Sequence, residues 1–334
     1  TNVDTVKTQS YKNTVVIGEV LDSNTSFQAV RSGPRGQQTS VFTRGTNSNN
    51  TLFMINGSPV TDHSTTNSLF DAGVDSVTYA DSIDLYKGSQ STLWGPGAIG
   101  GAININTGGA LEDSVTVKGG SNNTAGVGIN YFTAQPSGIY SIKVFQETSD
   151  GYSIVEGGDA DGYGYQTLNF DSTHHTNVGK IATTVVYRDS DAELDGSGTD
   201  DTDYTSDSKF YFLQARYESD LFNFVIDQNV HDREYVNGSE IDNYDSATNH
   251  FKLSHTNSFG AIEYTVGTEG SDYSAKFENR GSYNSSVDKS AQANGYFVNA
   301  DYSLGDFIFN TGVRHDTNSL HDDVDTYRLG VGYK

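Results

Sequence analysis

Residues 82–107 read SIDLYKGSQSTLWGPGAIGGAININT. Ile83 and Leu85 at one end, and Ile103 and Ile105 at the other, alternate with polar residues at the period-2 spacing of half-buried strands. Between them Gly88, Gly95, Gly97, Gly100 and Gly101 permit backbone angles and close approaches that a Cβ forbids. The stretch therefore reads as a short strand, a tight turn and a second strand. A related block lies upstream. Residues 41–60, VFTRGTNSNNTLFMINGSPV, are again β-branched and aromatic runs split by turn residues.

Beyond residue 115 the pattern changes to strands of about ten residues, joined by very short turns and by long acidic loops, as in a transmembrane barrel. Twelve strands are predicted, near 114–122, 125–135, 138–148, 164–174, 178–189, 208–219, 222–233, 247–258, 261–272, 293–304, 306–316 and 325–334. Long loops are expected over 150–163, 189–207, 234–247 and 279–292. Tyr131, Phe132, Tyr187, Tyr211, Phe212, Phe222, Phe224, Tyr296 and Phe297 fall near strand ends, as aromatic girdles do.

The chain carries 43 acidic and 20 basic residues, a net charge of -23, and no Cys. Such a charge argues against nucleic acid, whose phosphates need Lys and Arg, and suits a cation, a cation-loaded ligand or a saline setting. An apolar content of 34 % does not exclude a membrane, because only alternate barrel residues meet lipid. No run of about 18 apolar residues predicts a transmembrane helix, and nothing at Thr1 reads as a signal peptide, as in a processed chain. His174 and His175 are adjacent, so in a strand they point to opposite faces and cannot share a metal. With no Glu-X-X-His, Ser-His-Asp set or P-loop, no enzyme is expected.

The two glycine-bearing blocks, in this order, resemble the plug domain of TonB-dependent outer-membrane receptors. Residues 84–88 and 94–105 fit its closing motif, with Ser89 where Pro is usual, and Asn56 stands for the usual Asp in the upstream hairpin. The resemblance implies an all-β membrane fold: an N-terminal mixed α/β plug inside an antiparallel transmembrane β-barrel, about 12 strands of it here where the family has about 22. The domains would be a periplasmic tail over 1–12, a plug over 13–110 and the N-terminal part of the barrel over 111–334. Asp4, Thr5 and Val6 resemble the TonB box, which adds a strand to a periplasmic energy transducer. Arg44 would lie inside the packed plug facing the barrel wall. Apical plug loops would present Ser32, Arg35, Gln37, Ser58, Asp62, His63 and Thr65 to the ligand.

The acidic loops add a further resemblance, to the calcium loop of the cobalamin receptors in that family. Hard carboxylate oxygens on flexible loops suit Ca²⁺. Asp159 and Asp161 match the paired ligands there, Asp195 and Asp207 fall near two others, and Ser153 replaces one that Glu156 would supply. A solvated acidic surface is the other reading of the same residues.

The implied function is active uptake of a scarce small molecule across the bacterial outer membrane, with the N-terminus periplasmic and no chemistry on the ligand. A corrinoid such as cobalamin is favoured, a ferric siderophore or other metal chelate is second, and a non-transporting surface-docking protein is the competitor from another class. Implied partners are a TonB-type transducer, outer-membrane lipid and lipopolysaccharide, and no nucleic acid. A twelve-stranded closed barrel is too narrow for a plug, so the remaining strands are expected from further residues or from a second chain that completes the barrel.

Overall fold

The computed structural model describes residues 3–8, 16–22, 26–65, 68–74, 76–109, 112–196, 200–201, 203–282 and 284–333. Its first unit holds β1 (Val3–Lys7), α1 (Ile17–Leu21), β2 (Phe27–Arg31), β3 (Thr39–Thr43), β4 (Thr51–Ile55), β5 (Ser58–Pro59), β6 (Ser82–Lys87), α2 (Ser91–Trp94) and β7 (Gly101–Asn106). Five strands form one mixed sheet in the order β1-β6-β7-β4-β5, while β2 and β3 make a separate hairpin. The strands of the decisive stretch lie at its centre, with Ile83 opposite Ile105 and Leu85 opposite Ile103. All four are fully buried, together with Ile17 and Leu21 of α1, and the stacked Phe53 and Phe70 join the same core. β7 is more than half-buried, because parallel β4 and antiparallel β6 flank it and both of its faces are covered.

Two expectations are corrected within this unit. Val3–Lys7 is not a mobile tail but the edge strand β1, where Thr5 Oγ1 donates to Asp84 at 2.6 Å and Asp4 pairs with Lys87; residues 9–12 lie outside the described ones. A polar sequence can still join an edge, since the ladder uses backbone groups. Arg44 is exposed in a left-handed turn after β3 rather than packed against the wall. At the start of the unit Val16 bridges to Ser76 and Ile17 opens α1.

The second unit is an antiparallel meander of β8 (Ser114–Gly119), β9 (Ala125–Gln135), β10 (Gly138–Ser149), β11 (Tyr163–Thr176), β12 (Gly179–Glu193), β13 (Tyr204–Glu218), β14 (Asn223–Asn237), β15 (Glu240–Phe259), β16 (Ile262–Arg280), β17 (Ser285–Leu304), β18 (Phe307–Asn318) and β19 (His321–Tyr333). All twelve expected strands are present, with β8 and β19 at the two edges of the sheet. Their lengths differ from expectation. β15 and β17 reach 20 residues, so most of the loops expected over 234–247 and 279–292 is strand. Cross-strand pairs such as Lys209 with Asp232 and Asp245 with Lys276 carry the ladder on beyond the apolar belt.

The outer face exposes Val115, Ile129, Val144, Leu213, Leu253, Val298 and Leu329, whereas Asn169, Gln214, Asn229, Arg233, His250 and Arg314 are buried on the inner face. Apolar outside and polar inside is the reverse of a soluble sandwich, and it is the pattern of a lipid-facing barrel. Among the described residues no helix is long and apolar enough to cross a membrane. Two of the expected girdle aromatics, Phe212 and Phe297, point inward and are buried, since adjacent strand residues face opposite ways and Tyr211 and Tyr296 take the outside.

Polar inner-face side chains hold the first unit in the concavity. Lys143 Nζ donates to the Tyr79 carbonyl at 2.9 Å and to Asp81 at 2.6 Å, and Asn229 Nδ2 donates to the Pro59 carbonyl at 3.1 Å. On the far side Asn299 donates to the Thr92 carbonyl at 3.1 Å, and Arg328 to Gln90 at 3.1 Å. Val186, Phe210 and Phe212 of the wall also enter the core of the first unit, so the two units share buried apolar surface.

Candidate ligand-binding site

At the end of the barrel that carries the long loops, a cavity of about 750 Å³ opens between plug and wall. Ser32, Gln37 and Thr65 line it from the plug, and Tyr204, Tyr235 and Tyr244 from β13, β14 and β15. Arg233 forms part of its wall. Its guanidinium lies 5.8 Å from the Tyr235 ring centre and 5.2 Å from that of Tyr244, and it donates to Asp62 Oδ2 of the plug at 2.8 Å. Asp62 also accepts from Ser246 Oγ at 3.0 Å. Burial would push the Asp62 carboxyl up, but His231 and Arg233 outweigh it and hold the group below its ordinary range. The site thus offers aromatic faces, hydroxyls and one clamped cation.

The expected ligand residues divide. Ser32, Gln37 and Thr65 reach the cavity, and Gln37 Nε2 is buried there with no partner among the described residues. Asp62 is tied to Arg233 and Ser246. His63 lines a different chamber, stacked on Tyr273 with ring centres 4.1 Å apart, and burial lowers it to about 4, so it is neutral at pH 7. Ser58 is fully buried, donating to Asp227 and accepting from Gln214 at 2.7 Å. Arg35 is engaged by Glu19 at 2.7 Å and Tyr163 at 3.3 Å, so it braces α1 against the wall. The tyrosines and Arg233 were missed in the sequence because they come from three strands; their signal was polar aromatics at inward parity above the belt.

The acidic loops meet beside this cavity, with Ile154, Leu194 and Asp195 in its lining. Asp161 is 4 % exposed. Ser153 Oγ donates to Asp195 Oδ2 at 3.0 Å, and the Asp159 backbone N–H donates to Asp200 Oδ1 at 3.0 Å. Burial and the neighbouring Asp195, Asp159 and Glu193 push the Asp161 carboxyl up to about 7. Asp161 Oδ2 and Asp195 Oδ1 are buried without a partner among the described residues. Glu156 is exposed, and Asp207 faces away, paired with Lys209 at 2.7 Å. Asp159, Asp161 and Asp195 are therefore brought together, Asp200 joins them, and Asp207 and Glu156 do not. Among the described residues no group of three or more acidic or His side chains is already set as a metal site.

Gly151 closes this loop with φ +64°, and a Cβ there would run into the Asp161 carbonyl oxygen. Gly151→Ala is expected to lose about 1–3 kcal/mol and to expose 150–162 to protease. Gly157→Ala, also at positive φ but facing open space, should lose about 1 kcal/mol. Equal protease sensitivity in the two variants would refute this packing.

A small mixed sheet docked on the polar inner face of a lipid-facing antiparallel sheet, with a cavity at the loop end, is a plug-in-barrel arrangement. Residues 1–102 match the family model of the TonB-dependent receptor plug domain. The vitamin B12 transporter BtuB of Photobacterium profundum is 29% identical over 335 residues, covering 95% of this chain and 53% of that protein. Among solved structures, the copper transporter OprC superposes with a TM-score of 0.79 at 14% identity, over 98% of this chain and 59% of that one. The ferric yersiniabactin uptake receptor FyuA from Yersinia pestis gives 0.72 at 15% identity, over 99% and 60%. In the residues that match the plug model and in its fold the chain resembles the TonB-dependent receptors, and along its sequence it resembles the vitamin B12 transporters. It spans about half the length of the curated relatives it matches.

Proposed function

We propose that this chain carries the plug and ligand vestibule of a TonB-dependent transporter that takes up a corrinoid such as cobalamin. The observation that carries the reading is the likeness to the vitamin B12 transporter along 95% of the chain. Tyr204, Tyr235 and Tyr244 supply faces and hydroxyls for a large, flat, amide-bearing ligand. Asp159, Asp161, Asp195 and Asp200 would hold Ca²⁺ at the rim. The buried, unpartnered oxygens of Asp161 and Asp195 fit a hard cation, whose charge would offset the repulsion within the cluster. With the N-terminus in the periplasm, β1 would leave β6 to add to the transducer, which requires breaking the Asp4–Lys87 and Thr5–Asp84 contacts. The free edges of β8 and β19 would pair with further strands, because an open sheet edge does not stand in lipid.

A second reading, an anionic ferric or copper chelate, is favoured by Arg233 among the tyrosines and by the fold shared with FyuA and OprC. Native mass spectrometry of the protein taken from its own membrane, titrated with cyanocobalamin and calcium, separates the two. The expected result is a cobalamin adduct strengthened by calcium, weakened at least tenfold by Tyr235→Ala with Tyr244→Ala. A siderophore adduct, with cobalamin ignored, would replace the first reading by the second.

A further inference from the structure

The plug loop that carries Asp62 has a chamber on its other side as well. Whereas Thr65 lines the vestibule, His63 lines a chamber of about 450 Å³ between the plug and β15 to β19. That volume lies in the range of small-molecule sites. Phe53, Phe70 and Trp94 line its plug side, and Tyr273 lines it from β16, stacked on His63 and held by Asn318 Nδ2 donating to its hydroxyl at 3.0 Å. Aromatic side chains on both sides favour a flat guest that extends the two existing stacks.

The polar groups of the chamber narrow the guest further. Thr248, His250 and Arg314 all line it, and each keeps a buried polar atom, Oγ1, Nε2 and Nη1, with no partner among the described residues. Buried polar atoms are nearly always hydrogen-bonded, so three at one cavity need an explanation. His250 Nδ1 lies 2.7 Å from Asp227 Oδ2; with the proton on Nδ1, Nε2 is left as a bare lone pair that accepts. Arg314 Nη1 can only donate, and Thr248 Oγ1 can do either. A guest that satisfies both ends carries one donor and one acceptor, which in a flat aromatic guest are a ring N–H and an unprotonated ring nitrogen.

We propose that this chamber is a binding site for a flat bicyclic heteroaromatic ring bearing one N–H donor and one ring-nitrogen acceptor, separate from the vestibule. The proposal goes beyond the transport reading and stands or falls without it, because its test needs neither cobalamin nor calcium. Trp94 is the single tryptophan of the chain and lines the chamber, so its emission reports occupancy directly. The complete protein, purified in detergent, is titrated with benzimidazole, which has both groups, with indole, which has only the donor, and with naphthalene, which has neither.

Benzimidazole is expected to change Trp94 emission saturably, at a half-saturation at least tenfold below those of indole and naphthalene. Tyr273→Ala should raise that half-saturation at least tenfold, whereas Tyr235→Ala in the vestibule should leave it unchanged. Quenching that rises linearly for all three compounds, or saturation at the same concentration for all three, would overturn the proposal on the unmutated protein alone. Saturable binding indifferent to Tyr273→Ala would overturn the location.

Discussion

Arg314→Ala is expected to loosen the plug from the wall and to lower the unfolding free energy by about 3–5 kcal/mol, the range for removing one partner of a buried ion pair. The side chain is 3% exposed, with Nη2 donating to Glu269 at 2.7 Å and Nε donating to Asp316 at 2.8 Å. Glu269 in turn pairs with Lys252 at 3.1 Å, and Lys252 Nζ donates to the Leu93 carbonyl of α2 at 3.2 Å. The network therefore ends on the glycine-rich turn of the plug. Without Arg314, Asp316 loses the guanidinium that donates to both of its oxygens. Gly295 supplies a second way to the same effect, because a Cβ there would overlap the Arg314 guanidinium. Gly295→Ala should give the same direction with every charge kept. Thermal unfolding and protease cleavage near 88–97 measure both variants. Melting within about 1 kcal/mol of the unmutated protein for Arg314→Ala would show that this network does not hold the plug.

How much of this was legible beforehand follows from which interactions are local. The decisive stretch folds as read because Ile83, Leu85, Ile103 and Ile105 pair across one short turn, and their alternation is written in a 26-residue span. The twelve barrel strands were legible for the same reason, each being an alternating segment next to its partner in sequence. Their outer ends were not, because beyond the lipid belt both faces meet water and polarity no longer distinguishes strand from loop. Side-chain partners were the least legible. Arg35 and Arg44 look alike in sequence, yet the first is clamped by Glu19 and Tyr163 while the second is exposed in a turn. Asp207 lies at the right distance along the chain for the acidic cluster, but Ser206 and Ser208 are buried on the inner face and parity turns Asp207 outward. Asp200 belongs to no motif in the sequence, and the fold brings it to the Asp159 backbone N–H.

In the presence of a chelator, stability of the loop end is expected to fall as pH rises from about 4 to about 7, and calcium is expected to remove that dependence. Asp161 is the cause. In an unfolded chain an Asp titrates near 3.9, whereas burial and Asp195, Asp159 and Glu193 push Asp161 up to about 7. Between those values the folded protein binds a proton that the unfolded chain has released. Linkage then makes stability decline with rising pH throughout that window, by at most about 1.4 kcal/mol per pH unit, with the loss complete above 7. This is the opposite sign to a carboxylate held by a salt bridge. A divalent cation held by the same oxygens takes the proton's place, so at pH 8 the melting temperature should rise with calcium, by the equivalent of about 2.7 kcal/mol at a hundredfold excess over its dissociation constant. Asp161→Asn supplies the neutral form permanently. With chelator it should melt higher than the unmutated protein at pH 8, show a flattened pH profile and respond less to calcium. Asp207→Ala, altered on the outer face beside Lys209, should keep both the pH slope and the calcium response. Coincident melting curves at pH 8 with calcium and with chelator would remove the cation from this site, and a flat profile between pH 4 and 7 would remove the shifted carboxyl.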